Sequence, residues 1–75
     1  MVPFKERLKE SRTRKRFMQR EVAECVGIAT HTYQQYELGN RRPNYEILVA
    51  IADYLDVTTD YLLGRTDKPD QEGSV

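Results

Sequence analysis

The chain has 75 residues and a mass of 8.8 kDa, with 39% apolar and 32% charged residues. That mixture is too apolar for a disordered chain and too charged for a membrane span. The formal net charge is zero, yet residues 1–43 carry ten basic and five acidic side chains while residues 44–75 carry two and seven.

A neutral total therefore hides a polarised molecule, and a basic first half is suited to an anionic partner. A chain this short buries only about 60% of its unfolded surface, so one compact domain is expected. The longest apolar run, Ile47 to Ala52, is six residues, against the roughly 18 that a spanning helix needs. No charged-then-apolar leader follows Met1, so a cytoplasmic location without membrane attachment is expected. The lone Cys25 excludes an internal disulfide and fits a reducing compartment. Together with the single His31 it makes no zinc cluster, and no metal or other cofactor is expected. Beside the Val22/Val26 face, Cys25 reads as a small buried hydrophobe.

No segment shows the period-two alternation of a strand. Pro3 suits the first turn of a helix that places Phe4 and Leu8 on one face and runs to about Arg14. A second helix begins near Gln19, groups Val22, Ala23 and Val26, and ends at Gly27, where a left-handed turn is expected. A third runs from Thr30 to Leu38, with Tyr33, Tyr36 and Glu37 inward, and closes at Gly39-Asn40. Asn44 can cap a fourth helix, whose Ile47, Leu48, Ile51, Ala52 and Leu55 follow helical spacing. Thr58 can cap a short fifth helix carrying Tyr61, Leu62 and Leu63, ended by Gly64. These elements predict an all-α, compact five-helix bundle over residues 1–64, followed by a polar, flexible C-terminal tail over residues 65–75.

The second and third helices, joined by a short glycine-containing link, have the outline of a helix-turn-helix. One helix fits the DNA major groove, where each base pair presents its own donor and acceptor pattern. The outward positions Thr30, His31, Gln34 and Gln35 carry donors and acceptors and no carboxylate. Gln35 can bridge two edge atoms of adenine, Thr30 can meet a thymine methyl, and His31 can donate to guanine N7. A polar outer face alone is usually just a wet surface; its position between basic segments favours a nucleic-acid partner.

The stretches Phe17-Met-Gln-Arg-Glu-Val-Ala23, Val26-Gly-Ile28 and Tyr36-Glu-Leu-Gly-Asn-Arg-Arg-Pro43 resemble the lambda-repressor-like family of DNA-binding domains, the Cro/CI or XRE type. Ile51 to Val57 and Asp60 to Gly64 are similar to that family's fourth and fifth helices. The resemblance implies a transcriptional regulator, a repressor before an activator, acting as a homodimer on a palindromic operator with the third helix in the major groove. It implies that Gln19, at the start of the second helix, holds a DNA phosphate, and that Asn40, Arg41 and Arg42 grip the backbone. Thr30, His31 and Gln35, with Gln34 as a fourth, match base-reading positions, and Arg12 and Glu37 match a buried ion pair. Two positions depart from the family: Met18 and Ala29 stand where Ser or Thr usually caps the second and third helices. Helix three can instead start one residue later with Thr30 as its cap, which would make Thr30 structural.

No nucleophile, base and orienter occur together and no phosphate loop has recognised spacing, so an enzyme is not expected. No small-molecule ligand is expected either. The remaining alternative is an antitoxin-like or other protein-interaction module using the same fold without its own operator. An exposed Tyr54 and Tyr61 region on the acidic half would serve that role or dimerisation.

Overall fold

A computed structural model describes residues 2–69, and the regular elements among them are five helices. They are α1 (Phe4–Arg14), α2 (Gln19–Val26), α3 (Thr30–Leu38), α4 (Tyr45–Leu55) and α5 (Thr59–Leu62). The described residues contain no strand. The all-α bundle expected from the sequence is the fold observed.

Local chemistry sets most of the helix ends. Gly27 and Gly39, at φ 81° and 84°, turn the chain left-handed after α2 and α3, a conformation that glycine adopts without a Cβ clash. Asn44 Oδ1 accepts the Ile47 N–H at 2.8 Å, and Thr58 Oγ1 accepts the Tyr61 N–H at 3.0 Å, capping α4 and α5. Two other ends follow rules that the sequence hides. Asp56 leaves α4 at φ 60° and Arg16 follows α1 at φ 61°, both left-handed without glycine. Pro3 sits at the N-cap of α1, just outside the first turn where it was placed.

The α2 and α3 starts show how missing caps are handled. Neither Met18 nor Ala29 offers a side-chain oxygen. At α2 the Glu21 carboxylate reaches back and accepts the Met18 N–H at 2.7 Å, which is half of a capping box. At α3, Ala29 is extended at the N-cap and makes no side-chain bond, and the helix begins at Thr30. The alternative in which Thr30 is the cap is thereby overturned.

The core gathers Leu8 of α1, Val22 and Ala23 of α2, Tyr33 and Tyr36 of α3, Ile51, Ala52 and Leu55 of α4, and Leu62 of α5. Phe17, in the link before α2, stacks on Tyr54 of α4 with ring centroids 4.7 Å apart. That contact ties the link before α2 to α4. Tyr54 is half-buried and Tyr61 is only 4% exposed, so the exposed tyrosine region expected there is not formed. The reason is Arg7: its guanidinium lies 4.1 Å from the Tyr61 ring centroid and donates to the Tyr61 and Thr66 carbonyls. Cys25 is exposed instead of buried: two residues past Ala23, it lies on the side of α2 opposite that core residue. The neighbouring Cys25 thiol, followed by burial, raises the Tyr54 hydroxyl pKa to about 12.

Part of the segment grouped with the tail packs against the bundle. Arg7 Nη2 pairs with Asp67 at 3.0 Å, and the Thr58 N–H donates to the Pro69 carbonyl at 2.9 Å. Residues 70–75 of the expected tail lie outside the described residues. No described helix is long and apolar enough to cross a membrane.

Because Ala29 is exposed and already has N-cap geometry, Ala29→Ser is expected to raise unfolding free energy by about 1 kcal/mol in urea titration. Unchanged or lower stability would show that the α3 N-terminal amides already have partners.

Candidate nucleic-acid interface

Two buried tyrosines set the rotation of α3. Tyr33 and Tyr36 point into the core with rings edge to face at 6.3 Å. Three- and four-residue spacing then turns His31, Gln34, Gln35 and Leu38 outward. His31, Gln34 and Leu38 are exposed, and Thr30 and Gln35 are half-buried at its edge. None of the four sequence-assigned reading positions is packed into the core.

Behind that face lies the Glu37 carboxylate, whose side chain is only 4% exposed. Arg12 of α1 meets it with two bonds, Nε to Oε2 at 2.6 Å and Nη2 to Oε1 at 3.2 Å. The Tyr33 hydroxyl donates to Oε2 at 2.7 Å and Gln19 Nε2 donates to Oε1 at 3.0 Å. Arg12 also donates through Nη1 to the Phe17 carbonyl at 2.8 Å, holding the link into α2. One carboxylate thus ties α1, α2 and α3 together. Burial opposes its charge, but the bonds from Arg12, Tyr33 and Gln19 outweigh that and hold the carboxyl below its ordinary range. The same bond to Glu37 raises Arg12, and burial followed by the Glu37 bond raises the Tyr33 hydroxyl.

The network reaches the surface through Gln19. Its Oε1 accepts Gln34 Nε2 at 3.2 Å, so a side chain of the outer face is linked to the buried pair. On the other edge Asn40 Nδ2 donates to Gln35 Oε1 at 3.0 Å.

The structure also sorts the cations of the basic half. Arg7 is held by Asp67, Arg12 by Glu37, Arg14 by Glu10 and Tyr61, Lys15 by Asp56, and Arg20 by Glu24. Lys5, Lys9, Arg16, Arg41 and Arg42 have no ion pair among the described residues. Four of these border α3. Lys5 shares a shallow hollow with Tyr36, Gly39, Arg41 and Arg42, and Lys9 shares another with Gln19, Gln34 and Leu38. Lys5 and Lys9 lie four apart on α1 and so on one face, which places both hollows on the same flank.

Sequence reasoning counted Lys5 and Lys9 only within the charge total. Their spacing on a helical segment was the available signal. What was missing was the knowledge that α1 runs beside the C-terminal half of α3. The hydroxyl of Tyr33 as a partner for Glu37 was missed for a similar reason, since Tyr33 reads as core. Among the described residues no group of three or more His, Cys, Asp or Glu side chains is placed to hold a metal ion.

The chain belongs to the helix-turn-helix domain family, whose sequence profile matches residues 5–68. This is the XRE-type class, a family of DNA-binding transcriptional regulators and not of enzymes. YqaE, an uncharacterised HTH-type transcriptional regulator of Bacillus subtilis, is 45% identical over 60 residues, which is 80% of this chain and 52% of that protein. AnsR, an HTH-type transcriptional regulator of the same organism, is 47% identical over 60 residues with the same coverage. The chain therefore spans about half the length of these relatives. In solved structures, the P22 c2 repressor in complex with a synthetic operator is similar at a TM-score of 0.80 and 28% identity, over 84% of this chain and 96% of that one.

Removing the Glu37 carboxylate leaves a guanidinium stranded in a site where the Arg12 side chain is 13% exposed. Glu37→Ala is expected to cost about 3–5 kcal/mol in urea denaturation. A loss under 1 kcal/mol would mean that the pair does not organise the fold. Acid gives an independent check. The Glu37 carboxyl is lowered by folding, so its stabilising contribution is complete above the ordinary carboxylate range and is lost as pH falls through the folded value. The wild type should lose that increment on acidification, and Glu37→Gln should show a flatter stability curve over the same interval.

Proposed function

We propose that this chain is a sequence-specific, double-stranded DNA-binding transcriptional repressor that lays α3 in the major groove. The observation that carries this reading is the α3 surface itself: outward amides, an imidazole and a hydroxyl, flanked by four cations that have no ion pair among the described residues. An α-helix fits the major groove, and unpaired Lys and Arg neutralise phosphates and release their counterions.

In this reading His31, Gln34, Gln35 and Thr30 meet base edges. Ala29 occupies the cap position, which leaves the Thr30 side chain for a base edge. Asn40, Arg41 and Arg42 hold one stretch of backbone, joined by Lys5 and Lys9. Gln19 keeps a second Nε2 hydrogen for a phosphate at the N-terminus of α2, where unpaired N–H groups and the helix dipole also favour an anion. Arg12 and Glu37 set the angle between α1, α2 and α3 without touching DNA.

A single reading helix contacts few base pairs, so useful selectivity calls for two copies. We place a homodimer on a palindromic operator with half-sites about one helical turn, roughly 34 Å, apart. Repression follows by occlusion of polymerase. Residues 1–64 form the DNA-binding unit, the setting is the cytoplasm, and neither a cofactor nor a small-molecule ligand takes part. The curated relatives in Bacillus subtilis carry the name transcriptional regulator, and the P22 c2 repressor is seen on operator DNA, which supports the assignment.

Selection of bound duplexes from a random pool, followed by salt titration, tests it. A two-fold symmetric consensus is expected, with log affinity falling against log salt by about 0.9 per phosphate contacted. Arg42→Ala should weaken all duplexes alike and flatten that slope by about 0.9. Gln35→Ala should cost about 1–3 kcal/mol on the selected site and relax preference at one base pair. No duplex binding at low salt would leave the protein-interaction module as the reading.

A further inference from the structure

Asn40, Arg41 and Arg42 follow α3 together, but Asn40 is turned differently from the arginines, and its second Nδ2 hydrogen is what remains for the DNA backbone. Left-handed Gly39 folds the chain back so that the Asn40 N–H donates to the Gln35 carbonyl at 3.0 Å, with the Arg41 N–H 3.4 Å from the same oxygen. This returns the Asn40 side chain along α3, where Nδ2 donates to Gln35 Oε1 at 3.0 Å. Main chain and side chain of one residue therefore hold the same partner.

We propose that Asn40 is a positioning residue that fixes the carboxamide orientation of Gln35 and so decides which base edge Gln35 accepts. The inference rests on the DNA reading above. A free glutamine amide turns about its last torsion and presents either oxygen or nitrogen outward, so it tolerates several bases. While Asn40 Nδ2 engages Oε1, the two Nε2 hydrogens and one Oε1 lone pair are left to face out. That arrangement suits an edge offering an acceptor for Nε2 beside a donor for Oε1, as adenine N7 and N6 do, and matches cytosine, whose major-groove edge offers only a donor, less well. Asn40 is the neutral member of this bend, and its removal leaves the neighbouring charges of Arg41 and Arg42 in place.

The test measures relative affinity for duplexes varied at the single base pair whose preference Gln35→Ala abolishes. Asn40→Ala is expected to relax preference there by roughly three- to tenfold, the worth of one hydrogen bond, while preference at the other positions and the thermal melt stay unchanged. In a Gln35→Ala background, Asn40→Ala should have no further effect at that position. Asn40→Asp, which replaces the donor by an acceptor, should turn Nε2 inward and shift preference toward cytosine, with lower affinity overall. The inference is overturned if Asn40→Ala weakens all duplexes equally with the same base preferences, or if its effect at that position adds independently to that of Gln35→Ala; either result leaves the DNA reading intact. A wild type with no preferred base at any position overturns both.

Discussion

The structure depends on the solvation of one carboxylate by protein. Glu37 sits almost out of water and would be unstable there as an anion without partners, since burying a charge carries a large desolvation penalty. Four donor contacts from three side chains supply what water would: two from Arg12, one from Tyr33 and one from Gln19. Because those side chains come from three helices, satisfying the charge also sets the helices' mutual placement. A weakly apolar chain of this size has few large core residues, and α3 contributes only two buried ones, both tyrosines. A directional polar hub therefore carries orientation that a larger core would set by packing.

The same arrangement determines what the outer face presents. The apolar and ionic contacts on the inner side of α3 use Tyr33, Tyr36 and Glu37, leaving His31, Gln34 and Gln35 at the surface. Two of these are restrained by neighbours, Gln34 through Gln19 and Gln35 through Asn40. A surface amide held in one orientation loses less freedom on binding than a mobile one, which is how a small domain preorganises recognition.

Charge illustrates how sequence reading and structure differ. The split between a basic first half and an acidic second half is real, but among the described residues half of the basic side chains in that first half are engaged in ion pairs of the fold. Arg7 is the clearest case. In the sequence it is one more cation of a basic helix; in the structure it is buried against Tyr61 and paired with Asp67, sixty positions away. That contact buries the tyrosine expected at the surface and brings residues beyond Gly64 onto the bundle. Polarity of composition suits an anionic partner, whereas the cations beside α3 that have no ion pair among the described residues are a smaller set, Lys5, Lys9, Arg41 and Arg42.

The sequence by itself determined the five helices, most of their ends and the polar character of the α3 surface. Those features depend on interactions within a few residues: apolar spacing, the Asn44 and Thr58 caps, and the left-handed glycines at 27 and 39. The resemblance carried by Phe17 to Pro43 added the Arg12–Glu37 pairing. Tertiary structure alone decided that Cys25 faces solvent, that Tyr61 is covered, that Tyr33 and Gln19 complete the Glu37 shell, and that α1 lends Lys5 and Lys9 to the α3 flank. Each of these is a meeting of groups far apart along the chain, and local spacing holds no information about which distant charge or ring will lie opposite.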